Sequence, residues 1–289
     1  MEPEGAALVE VGRGSLTRAT RGDRMLAELF SSEFLFFVAL GFLAQLVDGA
    51  LGMAYGLIAT TVLLSSGTPP AFASASVHAA EVVTTGLAGA SHVWHKNIDW
   101  ALFKKLAPAG VAGGIVGAYV LTELPENIVK FFVMLYLIGM TVMIVRRVRT
   151  KKAEEGTKAQ RERKLPTAPT GVVGGFLDAI GGGGWGPVVT STLLARGDHP
   201  RPTIGSVSLS EFFLTMAISV TFLAALDFSE YWRVVLGLII GGAVAAPLAG
   251  FLSRFLPPRT LLIMVAVVIA VLSTYTLARL VLATAKALG

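Results

Sequence analysis

Apolar residues in this chain come in long blocks, not at the 3.6- or 2-residue spacing of a one-sided helix or strand. Blocks at 71–93, 101–121, 128–145, 203–226, 234–255 and 261–283 approach or exceed the roughly 20 residues needed to cross a hydrocarbon core of about 30 Å. Two more, 34–64 and 170–195, are apolar but interrupted by glycine. The pattern predicts an all-α integral membrane protein. Composition agrees, with 54% hydrophobic and 15% charged residues and a mean hydropathy of +0.69. A soluble domain carries about 25% charged residues. Too little chain remains between the blocks for a separate catalytic domain, so an enzyme is not expected.

The net charge of +5 does not point to nucleic acid, because the basic residues flank apolar blocks. There they orient helices and meet anionic lipid headgroups, which makes membrane lipid the expected partner. The absence of cysteine excludes disulfides, thiolate metal sites and thiol catalysis. Residues 1–31 hold Arg13, Arg18, Arg21 and Arg24 but no apolar core before a small-residue cleavage site, and predict a polar tail instead of a signal peptide. Nine of the 24 Lys and Arg residues fall between Arg146 and Lys164. A run so charged predicts a solvated loop, and beside a membrane it predicts the cytoplasmic side. The chain therefore divides into a tail (1–31), a membrane half (32–148), a basic linker (149–167) and a second membrane half (168–285).

The two halves resemble each other. Laid over itself without gaps so that Gly41 meets Gly171, the chain aligns 41–85 with 171–215 and gives thirteen identities in 45 positions. They include Asp48/Asp178, Gly52/Gly182, Gly56/Gly186, Pro70/Pro200, Ser76/Ser206 and Glu81/Glu211. Apolar bias yields chance Leu and Gly matches, but not two acids and two prolines in register. Each half opens with a glycine-broken segment followed by three ordinary spans. The second break, DAIGGGGWGP at 178–187, holds four consecutive glycines at about 1 kcal/mol each and a proline, so no continuous helix is expected. Its flanks, 170–177 and 188–195, are about 8 residues each and reach only about 12 Å at 1.5 Å per residue. A broken span would give four crossings per half and parallel halves. A re-entrant hairpin would give three crossings and an inverted pseudo-two-fold. Charge counting leans to the parallel form through the tail arginines, while the short half-helices favour inversion, which is the expectation adopted.

Four acids sit in apolar segments, where a charge at mid-membrane costs at least ~2.5–3.5 kcal/mol. Asp48 and Asp178 each precede a break, where a carboxylate can cap the following half-helix. Glu81 and Glu211 lie mid-helix, away from any cap. On the first helix Ser74, His78, Glu81 and Thr85 share one face, and Ser208, Glu211 and Thr215 repeat most of that stripe. His78, Glu81 and Glu211 are therefore candidate proton carriers, with interhelical hydrogen bonding as the plainer alternative. Exposed amides at a half-helix N-terminus bind anions without a buried cation. The candidate substrate-binding groups are Gly52, Gly56, Gly182, Gly183 and Gly186, with the hydroxyls of Thr60, Ser76, Thr190 and Ser206 and the neighbouring Tyr55 and Trp185. Four acids equally suit a cation with oxygen ligands. No Gly-Lys-Ser/Thr follows the glycines, so they are not a phosphate loop, and no cofactor or dedicated metal site is assigned. His92 and His95, beside Trp94, read as interfacial anchors.

The duplicated segments GFLAQLVDGALGMAYG and GVVGGFLDAIGGGGWGP, each followed by a Ser-Val…Glu helix (SASVHAAE and GSVSLSE), resemble the TauE/SafE sulfite exporter family over about residues 33–284. The resemblance implies a secondary transporter that exports a small sulfur-containing anion, such as sulfite or the organosulfonate sulfoacetate, across the cytoplasmic membrane with proton coupling. A cation or divalent-metal carrier is the alternative. The first copy has Met53-Ala54-Tyr55 where the second has Gly183-Gly184-Trp185, which predicts unequal contributions from the two breaks. Apolar outer faces permit either a monomer or a homo-oligomer.

Overall fold

A computed structural model describes residues 31–149, 166–196, 198–227, 229, 231–252 and 258–288. All of the polar tail but Ser31, and nearly all of the basic linker expected from sequence, lie outside the described residues. Among the described residues all regular structure is helical, in the order α1 (Ser32–Leu51), α2 (Tyr55–Ser65), α3 (Pro70–Trp94), α4 (Trp100–Glu123) and α5 (Glu126–Arg149), then α6 (Thr167–Gly181), α7 (Gly186–Ala195), α8 (Pro200–Ala225), α9 (Trp232–Leu252) and α10 (Pro258–Leu288). The chain is a multi-pass membrane protein. Helices α1, α4, α5, α8 and α10 are long and apolar enough to cross a bilayer. Helix α3 has 25 residues but is not among them, because its centre carries buried Ser74, Ser76, His78, Glu81, Thr84 and Thr85. It is wrapped by other helices, so its polar groups meet protein and not lipid.

Local sequence explains the boundaries. Ser31 caps α1 by accepting from the Phe34 amide at 3.2 Å. Asp99 caps α4 through the Ala101 and Leu102 amides at 2.9 and 3.1 Å. Pro70 and Pro200 open α3 and α8, where a missing amide hydrogen is no loss. Helices α1 and α6 both stop at a left-handed glycine, Gly52 at φ 70° and Gly182 at φ 64°. The outer surface is apolar: Leu43, Leu223 and Leu282 are 60%, 63% and 62% exposed. Water would penalise such faces, and lipid does not. Trp94 and Trp100 stand exposed at the α3–α4 turn, and Trp232 begins α9 at the opposite end, as an aromatic belt requires.

Long-range contacts order the ends of the helices. Arg196, just past α7, donates to the Thr167 hydroxyl at 3.1 Å, so the start of α6 and the end of α7 lie together. The start of α8 lies at that same end, since Ser206 Oγ accepts from the Asp99 amide at 2.8 Å in the α3–α4 turn. At the other end the start of α1 meets the start of α9 through Glu33 and Arg233, 3.6 Å apart. There Phe72 stacks on Tyr231 at 4.0 Å between ring centroids. Helix α2 finishes at Ser65, shortly before α3 begins, and therefore beside the start of α1. Helix α1 packs mainly on α9 and α6 on α4, while α3 pairs with α8 and α5 with α10.

The α1–α9 and α4–α6 crossings are close backbone approaches. A Cβ on Gly175 of α6 would strike the Gly110 carbonyl of α4, and one on Gly241 of α9 would strike the Val38 carbonyl of α1. Gly139 of α5, by contrast, has nothing within 4 Å of its Cβ position. Gly175→Val is expected to lower stability by about 1–3 kcal/mol, the range for overpacking a tight contact, whereas Gly139→Ala leaves it unchanged or slightly higher. Thermal unfolding in detergent reads both; equal stability of the two variants would contradict the crossing described.

Candidate functional site

The two helix breaks are built alike. Asp48 Oδ1 accepts from the amides of Ala54 and Tyr55 at 2.6 and 3.1 Å. Asp178 Oδ1 accepts from Gly184 and Trp185 at 2.6 and 2.8 Å. Behind each, the Gly52 or Gly182 amide turns back to the aspartate's own carbonyl. Each carboxylate thus satisfies the amides that the break sets free. The breaks also touch: a Cβ on Gly56 would collide with the Gly182 carbonyl and with Gly183, and would come within 3.0 Å of Glu81 Oε1. Thr60 donates to the Gly182 carbonyl at 3.0 Å, and Tyr136 to the Gly183 carbonyl at 3.0 Å.

A cavity of about 410 Å³ opens beside this contact. All four acids line it: Asp48, Asp178, Glu81 and Glu211. Among the candidate substrate-binding residues, Gly52, Tyr55, Gly56, Gly183, Gly186 and Thr190 also line it. The others do not. Trp185 is fully buried with its indole donating to the Val207 carbonyl at 3.1 Å. Thr60 and Gly182 are joined in the contact between breaks, and Ser206 is tied to Asp99 and Pro202. Ser76 is buried without a hydrogen-bond partner among the described residues.

His78, a candidate proton carrier, sits behind the wall. Its Nε2 lies 3.2 Å from Asp178 Oδ2, and its Nδ1 lies 2.8 Å from the Ser74 carbonyl. A carbonyl only accepts, so Nδ1 carries a hydrogen. The contact at Nε2 then needs a second proton, held by the ring or by the carboxyl.

Several lining residues were not singled out as binding groups from sequence. Gln45 lines the cavity, and its Oε1 is buried without a partner among the described residues. Its signal was a lone amide one turn before Asp48. Thr84 and Ser208 also face the cavity, and His92, expected as an anchor, stands in its wall. The hydroxyls of Thr190 and Ser208 make no hydrogen bond among the described residues, so both are free to meet a solute. Among the described residues no Lys or Arg lines the cavity, and no three His, Asp or Glu side chains converge as a metal-binding group.

The family model for "Sulfite exporter TauE/SafE" matches residues 37–276. A relative from Bacillus subtilis (strain 168), named "Probable membrane transporter protein YtnM", is 40% identical over 249 residues, 85% of this chain and 83% of that protein. No solved structure matches the chain at a significant level.

Asp178 is buried, caps two amides and holds His78, whereas Asp48 is less buried and shows only the capping bonds. Asp178→Ala is therefore expected to destabilise the protein by about 1–3 kcal/mol, the penalty for stranding buried polar partners. Asp48→Ala is expected to cost less, nearer the ~1 kcal/mol of a lost cap. Thermal unfolding in detergent checks the order, and a larger loss for Asp48→Ala would refute it.

Proposed function

The chain belongs to the sulfite exporter TauE/SafE family, and from that membership we propose a proton-coupled secondary transporter that exports a small sulfur-containing anion across the cytoplasmic membrane. One observation carries the coupling: four carboxyl side chains and, among the described residues, no Lys or Arg line the cavity. An anion about 4 Å from one ionised carboxylate is repelled by on the order of 4 kcal/mol at an effective dielectric of 20. Sulfite or a sulfonate can therefore stay only when acids in the wall are protonated and act as hydrogen-bond donors. Protons and anion then cross together, and little net charge is left in the low-dielectric interior.

Glu81 and Glu211 are the proposed carriers, because Asp48 and Asp178 are committed to the breaks. On this reading the breaks frame the site and do not hold the anion through their first amides. Their first amides are already taken by the aspartates, which leaves the anion to the hydroxyls of Thr84, Thr190 and Ser208 and the protonated glutamates. We read α1–α2 and α6–α7 as re-entrant hairpins in two inverted repeats. The matching capping bonds of Asp48 and Asp178 support this, as does the exchange of partners in which the first hairpin packs on α9 and the second on α4. The return of α7 to Thr167 supports the hairpin itself. The basic linker marks the end of α5 and the start of α6 as cytoplasmic. A second reading, a cation carrier, draws on the same acid-rich wall.

Ligands that bind the folded state raise its apparent stability by mass action. Sulfite or sulfoacetate is expected to raise the thermal stability of purified protein more at low pH than at high pH, while sulfate, Na⁺ and divalent cations do less. In liposomes, sulfoacetate efflux is expected to carry protons with it, and Glu211→Gln to abolish that proton movement. Stabilisation by Na⁺ or a divalent cation with no response to either sulfur anion would replace this reading with the second.

A further inference from the structure

If residues paired by the register that sets Gly41 on Gly171 are structural counterparts, the cavity can be compared with its own image. Four counterpart pairs line it from both sides: Asp48 and Asp178, Met53 and Gly183, Gly56 and Gly186, Glu81 and Glu211. These pairs mark the centre, where the two halves meet. Away from the centre the likeness fails along α3, α7 and α8.

On α3, Thr84, Ala88 and His92 line the cavity in a row leading from Glu81 to the linker end. Their counterparts on α8 are Leu214, Ile218 and Phe222, each 0% exposed and none in the cavity wall. On α7 and α8, Leu194, Ile204 and Ser208 line the cavity, again on the linker side. Their counterparts Leu64, Ser74 and His78 are at most 1% exposed and none lines the cavity. The cavity thus extends toward the linker end, and the matching positions on the opposite side are packed.

The closed side also carries bonds with no match on the open side among the described residues. Ser74 donates to the Ala179 carbonyl at 2.6 Å, and His78 meets Asp178 at 3.2 Å. The counterpart of His78, Ser208, makes no such bond to Asp48 among the described residues. Thr60 bonds Gly182 on the closed side, while its counterpart Thr190 has no such bond among the described residues. Phe222, whose ring centroid lies 6.4 Å from that of His78, fills the place that His92 leaves open on the other side.

We propose that Ser74, His78, Ile218 and Phe222 form the second mouth of the substrate path, closed in this structure by the Phe222 plug and the Ser74–Ala179 and His78–Asp178 bonds. This rests on the transporter reading with inverted repeats, but not on the identity of the anion. Opening the second mouth breaks the His78–Asp178 contact. In the opposite state, Ala88, His92 and Ile204 become buried as Ile218, Phe222 and Ser74 are here.

The chain has no cysteine, so single cysteines can be read directly with a membrane-impermeant maleimide. Ala88→Cys is expected to label readily in inverted vesicles, from the linker face. Ile218→Cys is expected to label slowly in intact cells, from the opposite face, and severalfold faster when combined with Phe222→Ala. Labelling of Ala88→Cys in the Phe222→Ala background reports that the fold survives, and Phe222→Leu, which keeps more of the fill, is expected to give an intermediate rate. The proposal is overturned if Ile218→Cys stays inert from the opposite face in every folded background, or if Ala88→Cys labels from that face as fast as from the linker face. No sulfur anion enters the assay. A wrong substrate would show in the binding experiments and leave the labelling pattern intact, whereas a wrong gate would do the reverse.

Discussion

Backbone that leaves the helix at membrane depth survives only if its freed amides find partners inside the protein, since lipid offers none. Asp48 and Asp178 supply those partners, each through one carboxylate oxygen placed across two amides. The rest of the structure depends on this. A short carboxylate one turn before a left-handed glycine reaches the first amides of the next half-helix and no farther, so it dictates how tightly the chain turns. The turns are tight enough that Gly56 lies against Gly182 and Gly183, where a side chain would not fit. Two broken segments from distant parts of the chain can then meet at one point, with the cavity beside it.

The caps also shape the electrostatics. Their carboxylates answer the positive ends of the half-helix dipoles, which would otherwise be ready anion sites. Glu81, Glu211 and the residues Thr84, Thr190 and Ser208 remain facing the cavity, among apolar neighbours such as Met53, Leu194 and Ile204. On the proposed reading, protonation of these acids is what lets an anion enter. The difference between His78 and its counterpart Ser208 adds an imbalance. One aspartate is latched to a ring that shares a proton with it, and the other stands beside open space with no such latch among the described residues. In the gate proposed above, this imbalance is what separates the two mouths.

Much of this was legible in the chain itself, for reasons that are local or run along the sequence. Apolar block length, the glycine breaks and the prolines at 70 and 200 set where helices begin and end, because propensity and capping act within a turn or two. The register that pairs Asp48 with Asp178 and Glu81 with Glu211 brought the four acids into view as two pairs, since a repeated residue type in repeated surroundings needs no tertiary contact to be noticed. Sequence could not separate Thr190, which faces the cavity, from Thr60, which holds the breaks together, because the two are counterparts with nearly the same neighbours. It likewise set Trp185 and Ser206 beside the glycines, although packing turns both away to carbonyls of α8 and the α3–α4 turn. Charge counting left open which helix ends lie together. Contacts such as Arg196 with Thr167 and Glu33 with Arg233, made between residues far apart in the chain, bring those ends side by side. The unequal burial of Thr84, Ala88 and His92 against Leu214, Ile218 and Phe222 lay furthest from reach. It distinguishes residues that sequence makes equivalent, and only the way the helices pack together tells such residues apart.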